Sequence, residues 1–299
     1  MKKRPPAYKS SIALSITTSL VLVLTVLFIT RPSLAKKIQH RVYQADPSSQ
    51  TLVLDPAGEQ LASAADSTLY HLSQVLAGQT ELELTPALLL VSPAHPLPAN
   101  FQAELITDDY TGLEMSPLMA PAFTQLSQAV KQDFKEKLYI SSLYRTALEQ
   151  EEVYAEDPSL AMPPGQSEHQ TGLAVDVYVF QFAGPHFINA PAGRWVHENA
   201  WRYGFVVRYP QGQEDITGMR FEPWHLRYVG PPHADILTVQ GWVLEEYLGH
   251  LQADQVYRFG DYFILRTSQA EFRLPAGLQE PKISPDNLGS FVIWGQYPQ

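Results

Sequence analysis

Two short segments concentrate the side chains that hold metals and move protons. In SEHQTGLAVD, residues 167–176, His169 sits at a loop end and Asp176 follows seven residues later on a stretch with strand character. In EPWHLRYVG, residues 222–230, Glu222 and His225 stand three apart. Two imidazole nitrogens and one carboxylate oxygen form a donor set used by catalytic zinc, which keeps a fourth position for water. A carboxylate outside that set can act as general base toward the water. The residue types alone leave two readings open: a metal centre, or hydrogen-bonded structural histidines beside a carboxylate that caps a helix or faces solvent. The helical HExxH zinc signature is absent. The chain has no cysteine, so disulfides, thiolate ligands and a cysteine nucleophile are excluded.

The surrounding pattern alternates helix and strand signals. Residues 88–101, LLLVSPAHPLPANF, begin strand-like and are then broken by prolines. Ser116 through Lys137 reads as an amphipathic helix, with Leu118, Phe123, Leu126, Val130 and Phe134 near helical spacing. LYISSLYR, residues 138–145, reads as a strand, and Thr146 with Glu149 forms a capping box for a short helix. Trp195–Tyr203 reads as a helix, FVVRYP as a strand and FEPWHLRYVG as a loop entering a strand. Ala234–Leu251 reads as one further helix, and the segments from Val256 onward as β structure.

At 299 residues, with 45% hydrophobic and 17% charged residues, the chain can hold one sizeable core plus appendages. Residues 1–41 carry eight of the 21 basic residues and no acidic one, which leaves 13 basic against 31 acidic residues in the remainder. So acidic a remainder is a poor partner for nucleic acid, and none is expected. The basic N-terminus flanks an uncharged run from Ser10 to Thr30, long enough to cross the hydrocarbon core at about 1.5 Å per residue. Ser33-Leu34-Ala35 resembles a signal cleavage site, so residues 1–35 are expected to be a membrane anchor or a signal segment. Either role puts the remaining chain outside the cytoplasm, on the outer face of a membrane or secreted. The expected organisation is a stalk over 36–85, an α+β domain over 86–250 and a small β-rich appendage over 251–299.

SEHQTGLAVD matches the SxHxxGxAxD pattern of the VanY-type D-alanyl-D-alanine carboxypeptidases and related zinc peptidases. EPWHLRYVG resembles their ExxH segment, and NAWRYGFVVRYP their NAxxYGFxxRYP stretch. LLLVSPAHPLPANF resembles the segment that often opens these domains, so the resemblance covers roughly residues 86–240. It implies a small α+β domain with a mainly antiparallel sheet and flanking helices. It makes His169, Asp176 and His225 the Zn2+ ligands and Glu222 the catalytic base. Arg145 corresponds to an arginine associated with substrate carboxylate or carbonyl recognition, Ser167 to the motif serine of the substrate site, and Gln150 to a substrate-side glutamine. Leu143 departs from the family's usual glycine, and leucine disfavours the positive φ that glycine permits. Arg227 and Tyr228 read as structural support for the site.

The implied activity is removal of terminal D-alanine from peptidoglycan stem peptides or their precursors. The alternatives within this fold are an LD-carboxypeptidase, a D,D-dipeptidase or a wall endopeptidase. A non-catalytic wall-peptide binding module would have no need of Glu222, and a structural anchor protein would rest on the C-terminal β segment. No protein partner is inferred.

Overall fold

The computed structural model describes residues 52–54, 67–158 and 161–298. Residues 1–35, where the anchor or signal segment is expected, lie outside those residues. No described helix is long and apolar enough to cross a membrane.

In chain order the described strands are β1 (Val53–Leu54), β2 (Ser67–His71), β3 (Glu83–Leu84), β4 (Ile106–Thr107), β5 (Glu114–Met115), β6 (Tyr139–Ser142) and β7 (Ala174–Tyr178). They continue with β8 (Phe205–Tyr209), β9 (Glu222–Tyr228), β10 (Gln255–Phe259), β11 (Tyr262–Thr267), β12 (Glu271–Pro275), β13 (Gln279–Pro285) and β14 (Phe291–Gln296). The α-helices are α1 (Leu72–Leu76), α2 (Ala120–Phe134), α3 (Ala147–Glu156), α4 (Pro191–Asn199), α5 (Glu214–Thr217), α6 (His233–Gln240) and α7 (Leu244–His250). The fold is α+β, and its two larger sheets are separate.

The first sheet, in the order β6-β7-β9-β8, is antiparallel throughout. Its apolar face packs on α2 and α4. Phe123, Leu126 and Val130, on one stripe of α2, meet Val175, Val177, Phe205 and Leu226 in one buried cluster. Each such side chain contributes roughly 1.5–3 kcal/mol when removed from water. The opposite end of α2 is closed by Lys135 in the left-handed region, φ 58°. Helix α3 begins at the expected box: Thr146 Oγ1 accepts from the Glu149 amide, and Glu149 Oε2 accepts from the Thr146 amide.

The second sheet has the order β1-β10-β11-β14-β13-β3, with one parallel pair, β13 and β3. Strand β2 pairs with β12 over five residues. This corrects the expected stalk: among the described residues between 36 and 85, β1, β2, β3 and the short helix α1 belong to the β-rich unit. Their partners lie about two hundred positions later in the chain, so no local periodicity could announce them. The β unit also shares a core with the rest of the molecule, in which Leu88, Leu90, Leu237, Tyr247, Tyr257 and Trp294 are buried together.

Three further expectations change. The run Leu88–Val91 is buried but forms no strand, and only a Ser92–His95 bridge follows it. The helix expected over Ala234–Leu251 is two helices, α6 and α7, parted at Gly241 with φ 67°. The expected helix over Trp195–Tyr203 is α4, begun at Pro191, followed by a 3-10 turn over Ala200–Tyr203.

His233 opens α6 and joins the two halves. It is fully buried, hydrogen-bonds Tyr247 Oη through Nδ1 at 2.8 Å and meets the Trp294 ring edge-on. Its Nε2 has no partner among the described residues. Burial alone pushes its pKa down from 6.5 to about 3. Below pH 6.5 the unfolded chain therefore binds a proton that the folded chain refuses, and stability falls as the pH falls toward 3. Urea unfolding at a series of pH values should show wild type losing up to about 1.4 kcal/mol more per pH unit than His233→Gln in that window. Parallel stability curves for the two proteins would refute this.

Candidate metal centre

Strand β7 is the axis of the site. Asp176 is the direct antiparallel partner of His225 on β9, so the two side chains rise from one face of adjacent strands. His169 arrives from the 3-10 turn Glu168–Thr171 just before β7, which ends at Gly172 with φ 73°. A Cβ at Gly172 would come within 2.8 Å of the Leu105 side chain and 3.3 Å of the Ser116 amide nitrogen. Glycine is thus required both by the backbone and by the space.

Glu222 reaches the same cleft through an irregularity. On a regular strand, residues three apart point to opposite faces. Between the pairs Val207↔Leu226 and Tyr209↔Glu222, β9 advances four residues while β8 advances two. This bulge turns both Glu222 and His225 into the cleft. The segment expected as a loop entering a strand is therefore a strand from Glu222 onward, bulged where the chemistry sits.

The three expected ligands converge. One donor atom from each of His169, Asp176 and His225 lies within 4.8 Å of the others. Asp176 Oδ2 stands 3.2 Å from His169 Nε2, and Oδ1 stands 2.9 Å from His225 Nδ1. Donors about 2.0–2.2 Å from a tetrahedral zinc ion stand roughly 3.3–3.5 Å apart, so an ion between these donors would part the two contacts by a few tenths of an ångström. The tautomers fit too. His169 Nδ1 lies 2.6 Å from the Leu143 carbonyl, which can only accept, so this nitrogen carries the proton and Nε2 is the metal-facing donor. Two imidazoles and a carboxylate suit zinc rather than calcium or magnesium.

Behind His225 lies a carboxylate that the motif reading did not assign. Glu168 Oε2 is 3.4 Å from His225 Nε2, while Oε1 accepts from Arg208 Nε at 2.7 Å and Arg227 Nη1 at 2.8 Å. All three charged side chains are 1% exposed or less. Burial raises the Glu168 carboxyl, but Arg227 and Arg208 overcome it and hold it well below the usual carboxylate range. With Nε2–H directed at Glu168, Nδ1 is left as the donor of His225.

Arg145, Ser167, Gln150 and Glu222 line the same cleft as the three ligands. Arg145 donates from Nε to Ser142 Oγ at 3.0 Å and from Nη1 to Gln150 Oε1 at 2.7 Å, and its Nη2 is 4.0 Å from Asp176 Oδ2. Gln150 is buried, and its Nε2 donates to the Met162 carbonyl at 2.6 Å, so it aims Arg145 while tying down the cleft wall. Ser167 is buried at the start of the 3-10 turn. Leu143 is not among the residues with positive φ; its side chain enters the core and its carbonyl serves His169. The glycine usual in the family is therefore not needed at this position. Burial raises the Glu222 carboxyl above its ordinary range, although His225 opposes the shift.

The family profile described as VanY, D-alanyl-D-alanine carboxypeptidase, matches residues 112–231, which include every residue above from Arg145 to Arg227. A D-alanyl-D-alanine carboxypeptidase of Enterococcus faecium is 32% identical over 191 residues, 61% of this chain and 62% of the relative. The crystal structure of a vancomycin resistance D,D-pentapeptidase VanY from a VanB-type cassette, in complex with Zn(II), is 33% identical with a TM-score of 0.50. It covers 55% of this chain and 99% of that one. The chain belongs to the VanY family of D-alanyl-D-alanine carboxypeptidases. The vancomycin resistance D,D-dipeptidase VanXYg, solved with a D-Ala-D-Ala phosphinate analogue, aligns over 77% of this chain and 98% of its own, with a TM-score of 0.62 and 25% identity. This VanY-family chain spans under two thirds of the length of the Enterococcus faecium relative.

Sequence reasoning missed Glu168, Arg208, Glu245 and Arg220. A signal for the first two was present: each is a charge inside an otherwise apolar or motif segment, and a buried charge requires a partner. Glu168→Gln would leave Arg208 and Arg227 without their shared counter-charge. Breaking a buried ion pair costs about 3–5 kcal/mol, so the urea midpoint of this variant should fall markedly. An unchanged midpoint would contradict the assigned network.

Proposed function

We propose that this chain is a zinc-dependent D-alanyl-D-alanine carboxypeptidase acting on peptidoglycan stem peptides or their precursors. The observation that carries the reading is the convergence of His169, Asp176 and His225 in one cleft with Glu222 and Arg145. The Zn(II) and the D-Ala-D-Ala phosphinate analogue named for the two structural neighbours support it.

His169 through Nε2, Asp176 through its carboxylate and His225 through Nδ1 would hold the zinc ion. When bound, the ion polarises the scissile carbonyl and acidifies water. Glu222 takes the proton of the attacking water and delivers it to the departing D-alanine amine. Arg145, held by Ser142 and Gln150, presents a guanidinium fork to the terminal carboxylate or to the developing oxyanion. Ser167 lines the substrate side of the cleft.

Purified protein should carry one zinc per chain by elemental analysis, and chelation should abolish release of D-alanine from a pentapeptide ending in D-Ala-D-Ala. Glu222→Ala should retain the zinc while kcat falls at least about 10²–10⁴-fold. Turnover like wild type would remove Glu222 from the mechanism, and active protein without a transition metal would end the zinc reading. D-alanine released only from tetrapeptide stems would move the reading to an LD-carboxypeptidase.

The uncharged run from Ser10 to Thr30 supports an extracytoplasmic location, tethered to the membrane or released after cleavage near Ala35. Protease added outside intact, wall-stripped cells should degrade a tethered catalytic domain, and released protein should appear in the medium. Recovery from the cytosol alone would contradict both.

A further inference from the structure

Arg220 stands at the cleft without a task in the chemistry above. It lines the cleft together with Glu222 and Trp224, and its side chain is 50% exposed. Its Nε forms a long ion pair with Glu222 Oε1 at 3.6 Å, and its guanidinium lies 5.9 Å from the Trp224 ring centroid. Arg145, in contrast, has both Nε and Nη1 committed to neighbouring side chains. Arg220 is therefore a loosely held cation, in a chain whose residues beyond 41 are strongly acidic.

Strand register places the two arginines at opposite ends of the cleft. Tyr139 pairs with Tyr178 and Ser142 with Asp176, so β6 runs toward the Ala174 end of β7 and delivers Arg145 there. The Arg145 amide accordingly donates to the His169 carbonyl. On the other side of β7, Ala174 pairs with Arg227 and Asp176 with His225. The residues before His225, Glu222 and Arg220 among them, therefore extend toward the Tyr178 end. A peptide with its terminal carboxylate at Arg145 and its scissile carbonyl over Asp176 and His225 continues upstream toward Arg220. Extended peptide rises about 3.3–3.4 Å per residue, matching the strand beneath it. The second and third residues before the scissile bond thus pass the Tyr178 end.

We propose that Arg220 is a specificity-determining residue that binds a free carboxylate carried two or three residues before the scissile bond. This rests on the carboxypeptidase reading and adds a preference for acidic stems over amidated ones. The guanidinium swings from its loose contact with Glu222 onto the substrate carboxylate, still resting on the Trp224 face.

The test uses synthetic pentapeptides ending in D-Ala-D-Ala, with glutamate or glutamine at the second or the third residue before the scissile bond. D-Alanine release is followed for wild type, Arg220→Gln and Arg220→Lys. For wild type, kcat/KM should favour the glutamate peptide at one of the two positions by roughly fivefold, the scale of a half-exposed ion pair. That ratio should shrink with added salt, collapse to about one in Arg220→Gln and persist in part in Arg220→Lys. Equal losses on both peptides in Arg220→Gln, with the ratio unchanged, would show that Arg220 acts through Glu222 instead and would overturn the proposal. Release from all peptides by wild type without discrimination overturns the proposal and leaves the carboxypeptidase reading intact. No release from any of them removes both.

Discussion

The Glu168 carboxylate, shared between Arg208 and Arg227 in a space without solvent, is the contact on which the rest of the site depends. Taking three charges out of water costs several kcal/mol per ion, and only close, saturated geometry offsets it. Here each partner is satisfied. Arg208 is closed by a bidentate contact to Glu245 on α7, and Arg227 Nη2 donates to the carbonyls of Ala87 and Leu89. The remaining carboxylate oxygen faces His225. A shift of any of these elements would strand a buried charge, so the network sets where the catalytic sheet, α7 and the 87–89 segment sit relative to one another.

Because the same carboxylate orients His225, the position of a candidate metal donor is linked to packing well away from the cleft. Helix α7 and the 87–90 segment belong to the core that contains Tyr257, Ile264 and Trp294 of the β unit. The β unit is therefore not merely appended. It completes the apolar surface against which the backbone of the site is braced, and His233 and Trp294 mark the joint.

Polarity within the cleft follows from strand direction. Arg145 is delivered past one end of β7 and Glu222 toward the other, with Asp176 and His225 between them. For the proposed peptide substrate, one orientation across this axis brings the terminal carboxylate to a fixed guanidinium and the scissile bond to Glu222. Gln150 fixes that guanidinium through a single buried amide, which also holds the Met162 carbonyl.

What the sequence determined by itself was the candidate side chains and the local elements. The SEHQTGLAVD and EPWHLRYVG segments held the side chains that converge in one cleft, the 3.6-residue stripe marked α2, and Thr146 with Glu149 marked the start of α3. These depend on residue type and near neighbours, which a linear string records. Tertiary structure alone decided three things. The strands inside residues 67–84 pair with partners at 271–285, so their existence depends on distant chain. The bulge in β9 is a mismatch of register with β8, and without it Glu222 and His225, three apart, would face opposite sides of the sheet. Burial decided the last: the fold removes the water around Glu168 and Arg208 and leaves each the other's partner, a pairing across forty positions that no local pattern records.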